Sequence, residues 1–397
     1  MCHLLVFGRL AAQHVERFAV SLFSRIRHAM RSLSGRTATI PLPGEGERPA
    51  DRDTLSVIDD LSRLVRNDPE AVDIYLALGN LFRAKGDIER AVMIREGLIL
   101  RPDLNTQYKA RSFFELGIDY QRAGMIDRAL SAFKEATNLG YSESVVTAEL
   151  AALYADSGDF ARATREYERL GHSLAQAHYL VRLAEETAAS GETVKAQRMI
   201  KKALKVYPGS IEGWCAIICM AALECDWRKM ATNLQKGLEH ITPPLRFLLL
   251  DALLDVHGKA YATSKGTPEE KGVFARTVCD MVLPVLEKQD PHLLLHFYGA
   301  LLLRQANDTE GVEIWLAKAL VVQPDFWAAR LEALLVAVEK EDVPPVAALQ
   351  VTYLAEQLRH IRRFICTACG LRQNNVFYRC PRCGSWHSIS FRLSLQE

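Results

Sequence analysis

The feature that most limits how this chain can fold is a unit of helix, turn and helix that recurs at intervals of 33 to 38 residues. The clearest copy has aromatic, leucine, glycine and alanine residues at fixed positions: Phe113, Leu116, Gly117, Tyr120, Gly124, Ala129, Phe133 and Ala136. Small residues stand where the helices of a pair approach closely, and large ones fill the groove of a neighbouring helix. A unit of this length cannot bury its apolar face alone, so the copies must stack on one another.

Three further copies keep the pattern, and equivalent positions recur at regular steps. From Gly79 to Gly117 the step is 38 residues, followed by 34 to Ala151 and 33 to Ala184. This is the tetratricopeptide pattern and spacing, so we expect an all-α tetratricopeptide-repeat solenoid over residues 54–360. Degenerate copies follow, anchored at Trp214, Ile218, Leu295, Gly299, Trp315, Ala319 and Pro324.

The end of the chain carries two C-x2-C pairs separated by ten residues: Cys366, Cys369, Cys380 and Cys383. A glycine follows each pair, so each can form a tight turn that points two thiolates at one ion, and two such turns complete a tetrahedral shell. Two disulfides are the alternative, but a three-residue spacing suits chelation better than bridging. Residues 361–397 are therefore predicted to form a small rubredoxin-like or zinc-ribbon module. It would hold one iron or zinc ion, since both accept four thiolates.

The N-terminal segment, residues 1–33, spaces apolar residues at roughly helical intervals with arginines between them. It has no uncharged apolar run long enough for a membrane span and no secretory cleavage site. Such a basic amphipathic segment can make peripheral contact with a membrane surface or can pack on the repeats. Residues 34–53 are rich in proline, glycine and charge, which predicts a flexible linker.

Charge and cysteine usage narrow the class of protein further. The net charge of +1 combines +5 over residues 1–40 and +6 over residues 359–397, which leaves −10 for the body of the chain. No even cysteine framework exists outside the two metal-binding pairs, which indicates a reducing, cytoplasmic compartment. The helical cysteines are predicted to pack as small core residues: Cys215, Cys219, Cys225 and Cys279.

The sequence offers little support for an enzyme. It has no glycine-rich phosphate loop, no G-x-S-x-G and no H-E-x-x-H. A shell of four thiolates leaves no open position for substrate or water. His387 could offer another ligand, but the four thiolates already close the shell, so we predict that it lies at the surface.

Polar residues at the inner positions of the first two repeats are candidates for binding a protein partner: Asn80, Arg83, Arg111 and Gln121. The alternative is that they form a solvated face. Leu76 stands where chaperone-binding arrays keep a basic residue, which argues against a clamp for chaperone tails. The sequence leaves open whether the chain forms a homo-oligomer.

Tetratricopeptide repeats that end in this tetracysteine pattern, with Tyr378, Pro381 and Trp386, resemble the lipopolysaccharide assembly protein B family over residues 54–397. The resemblance implies an adaptor on the cytoplasmic side of the inner membrane, with a rubredoxin-type module packed on the repeats. It implies that the adaptor directs the lipid A pathway deacetylase to a membrane AAA+ protease. The family has an N-terminal transmembrane helix where this chain has its amphipathic segment, so we expect a cytoplasmic protein that is either free of the membrane or peripheral on its cytoplasmic face.

Two other function classes remain as alternatives. One is rubredoxin-like electron transfer at an iron centre, which the Cys-Pro-x-Cys-Gly turn permits. The other is a zinc ribbon that contacts nucleic acid through Arg372, Arg379, Arg382 and Arg392. The adaptor is the leading hypothesis, and under it no nucleic-acid partner is expected.

Overall fold

The computed structural model describes residues 54–67, 71–263, 268–340, 344–359 and 361–394. The predicted amphipathic segment and linker lie outside these residues. The described chain divides into an N-terminal unit, residues 54–183, and a C-terminal unit, residues 184–394. The boundaries predicted for the repeat array and the metal module remain predictions.

The N-terminal unit consists of helices joined by short turns. They are α1 (Thr54–Asn67), α2 (Val72–Lys85), α3 (Ile88–Ile99), α4 (Thr106–Arg122), α5 (Ile126–Asn138), α6 (Glu143–Asp156), α7 (Phe160–Arg169) and most of α8 (Ser173–Ala189). Helices α2 and α3, α4 and α5, and α6 and α7 pack as pairs, and α3 also packs on α4. Gly86, with a φ of 89°, ends α2, and the Asp87 side chain accepts a hydrogen bond from the backbone of Arg90 at the start of α3.

The C-terminal unit continues the helical pairs and adds a small sheet. Its helices are α9 (Thr193–Val206), α10 (Ile211–Leu223), α11 (Trp227–His240), a 3₁₀ turn (Pro243–Leu245), α12 (Phe247–Thr263), α13 (Pro268–Glu287), α14 (Leu293–Gln305), α15 (Thr309–Val322), α16 (Trp327–Lys340) and α17 (Pro345–Arg359). The apolar helix α14 is largely buried. Helix α17 begins at Pro345, which suits the first position of a helix because its missing N–H would have no partner there.

Glycine makes the close approach within helical pairs possible. A Cβ added to Gly117 would lie 2.6 Å from the ring of Phe133, and one added to Gly299 would lie 2.6 Å from the ring of Trp315. In both pairs the aromatic residue follows the glycine by sixteen positions and fills the space that a side chain would take. The predicted role of the small residues at these two positions is confirmed.

The chain ends in a three-stranded antiparallel sheet of order β2-β1-β3. Its strands are β1 (Phe364–Cys366), β2 (Arg372–Gln373) and β3 (Ile389–Phe391). Phe364 pairs with Phe391, so both rings lie on the same face of the sheet. The predicted fold class, an all-α tetratricopeptide array with a small C-terminal tetracysteine module, is confirmed. Among the helices of the described ranges, none is both long enough and apolar enough to cross a lipid bilayer.

Candidate metal centre and partner surface

Each C-x2-C pair forms a tight turn closed by its glycine. The backbone N–H of Gly370 donates to the carbonyl of Cys366 over 2.8 Å, and that of Gly384 donates to the carbonyl of Cys380 over 2.9 Å. Both glycines have positive φ angles, 71° and 70°, a conformation that other residues rarely adopt. The second cysteine of each pair is thereby turned back toward the first.

The two turns bring their four sulfur atoms to within 4.8 Å of one another. The Sγ atoms of Cys366 and Cys383 are 3.7 Å apart, as are those of Cys369 and Cys380. A disulfide would hold its sulfurs about 2.05 Å apart, so neither contact is a bridge. In a tetrahedron with metal–sulfur bonds of about 2.3 Å, neighbouring sulfurs lie about 3.8 Å apart. The donor set and its spacing therefore fit a rubredoxin-like site for one metal ion.

Hydrogen bonds from serine hydroxyls and backbone N–H groups change the pKa values of the cysteine thiols in this cluster. Burial opposes ionisation of Cys383, but hydrogen bonds from the Ser385 side chain and backbone lower its pKa to about 6. Burial likewise opposes ionisation of Cys366, and hydrogen bonds from Ser388 and neighbouring N–H groups lower its pKa. Although it accepts a backbone hydrogen bond from Leu371, the pKa of Cys369 is raised to about 12 by burial and the neighbouring thiols. A bound cation would supply the charge that the remaining thiols need to lose their protons.

The strands of the module belong to the hydrophobic core of the C-terminal unit. Phe364, Ile389 and Phe391 are buried in the same cluster as the helical core residues. The ring of Phe391 lies 5.7 Å from that of Phe326, and the indole N–H of Trp327 donates to the carbonyl of Arg392 over 2.9 Å. The module is therefore part of the helical core and is not a separate appendage.

His387 joins the module to helix α10, so the prediction that it lies at the surface is wrong. Its side chain is only 11% exposed, and Nε2 lies 3.2 Å from Oε2 of Glu212, whose side chain is 4% exposed. The backbone N–H of His387 donates to the carbonyl of Tyr378 over 2.8 Å. The φ of 47° at His387 turns the ring toward the helix, a backbone conformation that its position in the sequence does not reveal.

The cysteines outside the cluster are mostly packing residues, as predicted. Cys215 and Cys279 are buried, and burial raises the pKa of Cys279 to about 12. Cys219 is half-buried and donates to the carbonyl of Ala252. The packing prediction is wrong for Cys225, which is exposed because it lies in the turn after α10.

The predicted partner-binding residues of the N-terminal unit fall into two groups. Asn80 and Arg83 form part of a buried polar network, in which Arg83 Nη2 donates to Asn80 Oδ1 over 2.8 Å. Arg111 is partly exposed and lies 3.8 Å from a carboxylate oxygen of Asp73, and Gln121 is half-buried. The structure therefore leaves Arg111 more accessible to a partner than Arg83.

The network around Arg83 contains residues that the sequence did not single out. Arg83 Nη1 lies 3.0 Å from Oδ1 of Asp119, and its other nitrogen donates to Glu115. Arg95 is wholly buried, donates to the carbonyl of Leu76 over 2.9 Å and lies 3.5 Å from Asp119 Oδ2. Burial opposes the charge of Glu115, but the two arginines outweigh it and lower the pKa of that carboxyl. One available signal is Arg95 itself, which stands sixteen residues after Gly79, where the next repeat has Phe133.

Both the metal module and the chain as a whole are similar to known proteins. Residues 364–390 match a family model described as a rubredoxin metal binding domain. The chain is 22% identical over 334 residues to lipopolysaccharide assembly protein B of Escherichia coli strain K12, an alignment that covers 82% of each chain. It is 22% identical over 328 residues to the protein of that name from Haemophilus influenzae, covering 79% of this chain and 78% of the relative. The resemblance that the sequence predicted is thus confirmed.

Among solved structures, the chain is similar to a tetratricopeptide repeat protein from Parabacteroides merdae. The identity is 13%, the TM-score is 0.33, and the match covers 75% of this chain and 99% of that one.

Proposed function

We propose that this protein is a non-enzymatic adaptor that regulates lipopolysaccharide biosynthesis. In this proposal the helical repeats bind a protein client, and the tetracysteine module, with one iron or zinc ion, completes the C-terminal end of the repeats. Similarity to proteins named lipopolysaccharide assembly protein B over about four fifths of the chain supports the pathway. The helical-repeat fold supports a role in binding proteins.

The observation that carries this proposal is the insertion of the module into the helical core. Because Phe364 and Phe391 pack among the helical core residues, the ion would stabilise the same core that supports the last repeats. A shell of four thiolates holds structure and leaves no position for a substrate. A closed shell of this kind is typical of structural metal sites, whereas a catalytic metal keeps an open coordination position.

The proposed clients are the lipid A pathway deacetylase and a membrane AAA+ protease, brought together on the cytoplasmic face of the inner membrane. This part rests on the family resemblance. Within the N-terminal unit, the proposed contact surface includes Arg111 and Gln121, which the internal network leaves partly accessible. Asn80 and Arg83 would support this surface by fixing helices α2 and α4, to which the network belongs.

Affinity capture of the tagged full-length protein from gently solubilised cells of its own host tests this function. We expect to recover the deacetylase and the protease with the native chain and to recover less of both with Arg111→Glu. Arg162→Glu is the matched control, because Arg162 is an exposed arginine of the same unit that contacts the nearby Asp159 and the ring of Tyr154. Equal recovery of the two clients with both variants would refute the proposal that Arg111 belongs to the contact surface. Recovery of redox enzymes or ribosomal proteins in place of these clients would refute the adaptor function.

Electron transfer is the second candidate, and the uneven burial of the cluster favours it. Cys366 and Cys380 are buried, whereas Cys369 and Cys383 are half-buried, so one edge of the cluster approaches the surface. An electron carrier would show a reversible, iron-dependent visible band and would exchange electrons with a redox partner from the same cells. A centre that no cellular partner reduces or oxidises would leave the adaptor as the function.

A further inference from the structure

Two serine side chains stand against the sulfur cluster on the same edge. Ser388 Oγ lies 3.2 Å from the sulfur of Cys366, and Ser385 Oγ lies 3.3 Å from the sulfur of Cys383. These two sulfurs are themselves 3.7 Å apart and come from different turns. Both hydroxyls therefore act on a single edge of the tetrahedron.

Ser388 is held firmly in this position. It is only 8% exposed, and its carbonyl accepts hydrogen bonds from the backbone N–H of Thr367 over 2.7 Å and from the Thr367 hydroxyl over 3.1 Å. Thr367 directly follows Cys366 in the first turn. These hydrogen bonds hold the backbone of Ser388 beside the first turn, where its hydroxyl lies next to the sulfur of Cys366.

The direction of these hydrogen bonds follows from the chemistry of a ligating cysteine. As protonated thiols, Cys383 donates to the Ser385 hydroxyl, and either atom can donate between Cys366 and Ser388. A thiolate bound to an ion has no hydrogen, so in the metal-bound centre the serine hydroxyl has to be the donor at each contact. The Ser388 hydroxyl could instead donate to the carbonyl of Ser385, 3.3 Å away. The thiolate is the stronger acceptor because hydrogen bonds to charged groups are stronger than those to neutral ones.

We propose that the hydroxyls of Ser385 and Ser388 make this centre favour a divalent ion over a trivalent one. Four thiolates carry a charge of −4, so the centre is −2 with a divalent ion and −1 with a trivalent ion. A hydrogen-bond donor stabilises the more negative state more, and hydrogen bonds to the sulfurs are known to tune the reduction potentials of iron–sulfur sites. This inference rests on the metal centre of the proposed function.

The test is the midpoint potential of the full-length protein loaded with iron alone. The measured step is the one-electron reduction of ferric to ferrous iron by an electrode, with all four iron–sulfur bonds retained and no proton moved. We expect Ser388→Ala and Ser385→Ala each to lower the midpoint by about 59 mV, which is a tenfold fall in the ferrous-to-ferric ratio at a fixed potential. Ser388→Thr, which keeps a hydroxyl, is expected to restore much of the native value.

Ser390→Ala is the matched control, because Ser390 lies on β3, two residues after Ser388, and its hydroxyl contacts the carbonyl of Phe391. We expect its midpoint to equal that of the native chain. Unchanged midpoints in folded, iron-loaded Ser388→Ala and Ser385→Ala would overturn the inference while leaving the metal centre intact. If Ser388→Ala does not fold, the less buried Ser385 decides the question alone. Failure of the native chain to take up iron or zinc would instead refute the metal centre, and this inference with it.

Discussion

Two repeats, one from each unit, fill the space beside the same helix glycine in different ways. In the C-terminal unit the space beside Gly299 is filled by the ring of Trp315. In the first full repeat of the N-terminal unit the equivalent space, beside Gly79, is filled by the guanidinium of Arg95, 2.7 Å from where a Cβ would lie. The same slot thus accepts an aromatic ring or a buried cation. The cation requires partners that the ring does not.

That difference gives the units different weak points. The N-terminal unit depends on Asp119, which is wholly buried and faces both Arg83 and Arg95. Removing one member of a buried charge network leaves the others uncompensated, which costs more than the pair itself gains. The C-terminal unit instead depends on apolar packing that includes the strands of the metal module. One unit is therefore sensitive to loss of charge and the other to loss of metal.

The largest expected effect is that of breaking the metal site with Cys380→Ser. Structural metal sites of this kind contribute about 10–16 kcal/mol of apparent binding free energy, which is comparable with the stability of a whole domain. We expect loss of bound metal, exposure of Phe364 and Phe391, and rapid proteolysis in the C-terminal unit. Metal analysis and limited proteolysis with mass spectrometry provide the measurement.

Cys225→Ser is the control for that change, since Cys225 is an exposed cysteine of the same unit that lies outside the cluster. It should keep its metal and its protease resistance. If proteolysis of the Cys380→Ser variant increased equally within residues 71–183, the claim that only the C-terminal unit depends on the metal would be wrong.

Asp119→Ala is expected to have the next largest effect, now in the N-terminal unit. It removes one of the two carboxylates that Arg83 and Arg95 share and leaves only Glu115 for both, at a cost of about 3–5 kcal/mol in the free energy of unfolding. Hydrogen exchange of helices α2 to α5 would rise, while metal content would stay unchanged. Arg162→Ala, which breaks an exposed pair, should cost no more than about 0.5 kcal/mol by chemical denaturation.

Replacing the closely packed helix glycine of a repeat by alanine tests how tightly the helical pair is packed in each unit. Gly117→Ala would place its Cβ 2.6 Å from Phe133, and Gly299→Ala would place it 2.6 Å from Trp315, so each should lose about 1–3 kcal/mol through overpacking. Gly97→Ala, where nothing lies within 4 Å, is expected to gain up to about 1 kcal/mol because alanine favours the helix. Denaturant unfolding monitored by circular dichroism gives all three values. Equal effects at all three positions would show that the slot is looser than its distances indicate.

The smallest expected effect is that of Glu212→Gln, which keeps the shape of the residue that contacts His387 but removes its charge. We expect a loss of about 1 kcal/mol in the C-terminal unit, since one buried hydrogen bond is weakened. Metal content should not change. A loss as large as that of Cys380→Ser would mean that this contact, and not the ion, holds the module on the helices.

Much of the fold was predictable because it follows from local periodicity. The helical pairs and the glycine slots follow from the residue types at repeat spacing, and the two metal-binding turns follow from the C-x2-C-Gly pattern. The buried network was harder to predict. Arg95 occupies an apolar position of the repeat, but only the three-dimensional arrangement shows that Glu115 and Asp119 reach it from the next pair of helices.

By itself, the sequence determined the repeat architecture and the set of four sulfur ligands, because both depend on spacings within a few tens of residues. Tertiary structure decided which helices the module packs on. Glu212 and His387 are 175 residues apart in the chain, and no local pattern links them. The same holds for the serines at the sulfurs, whose role depends on how the second turn folds back over the first. Contacts between distant segments are set by the packing of the whole unit. That packing places Glu212 beside His387 and the serine hydroxyls beside the sulfur atoms.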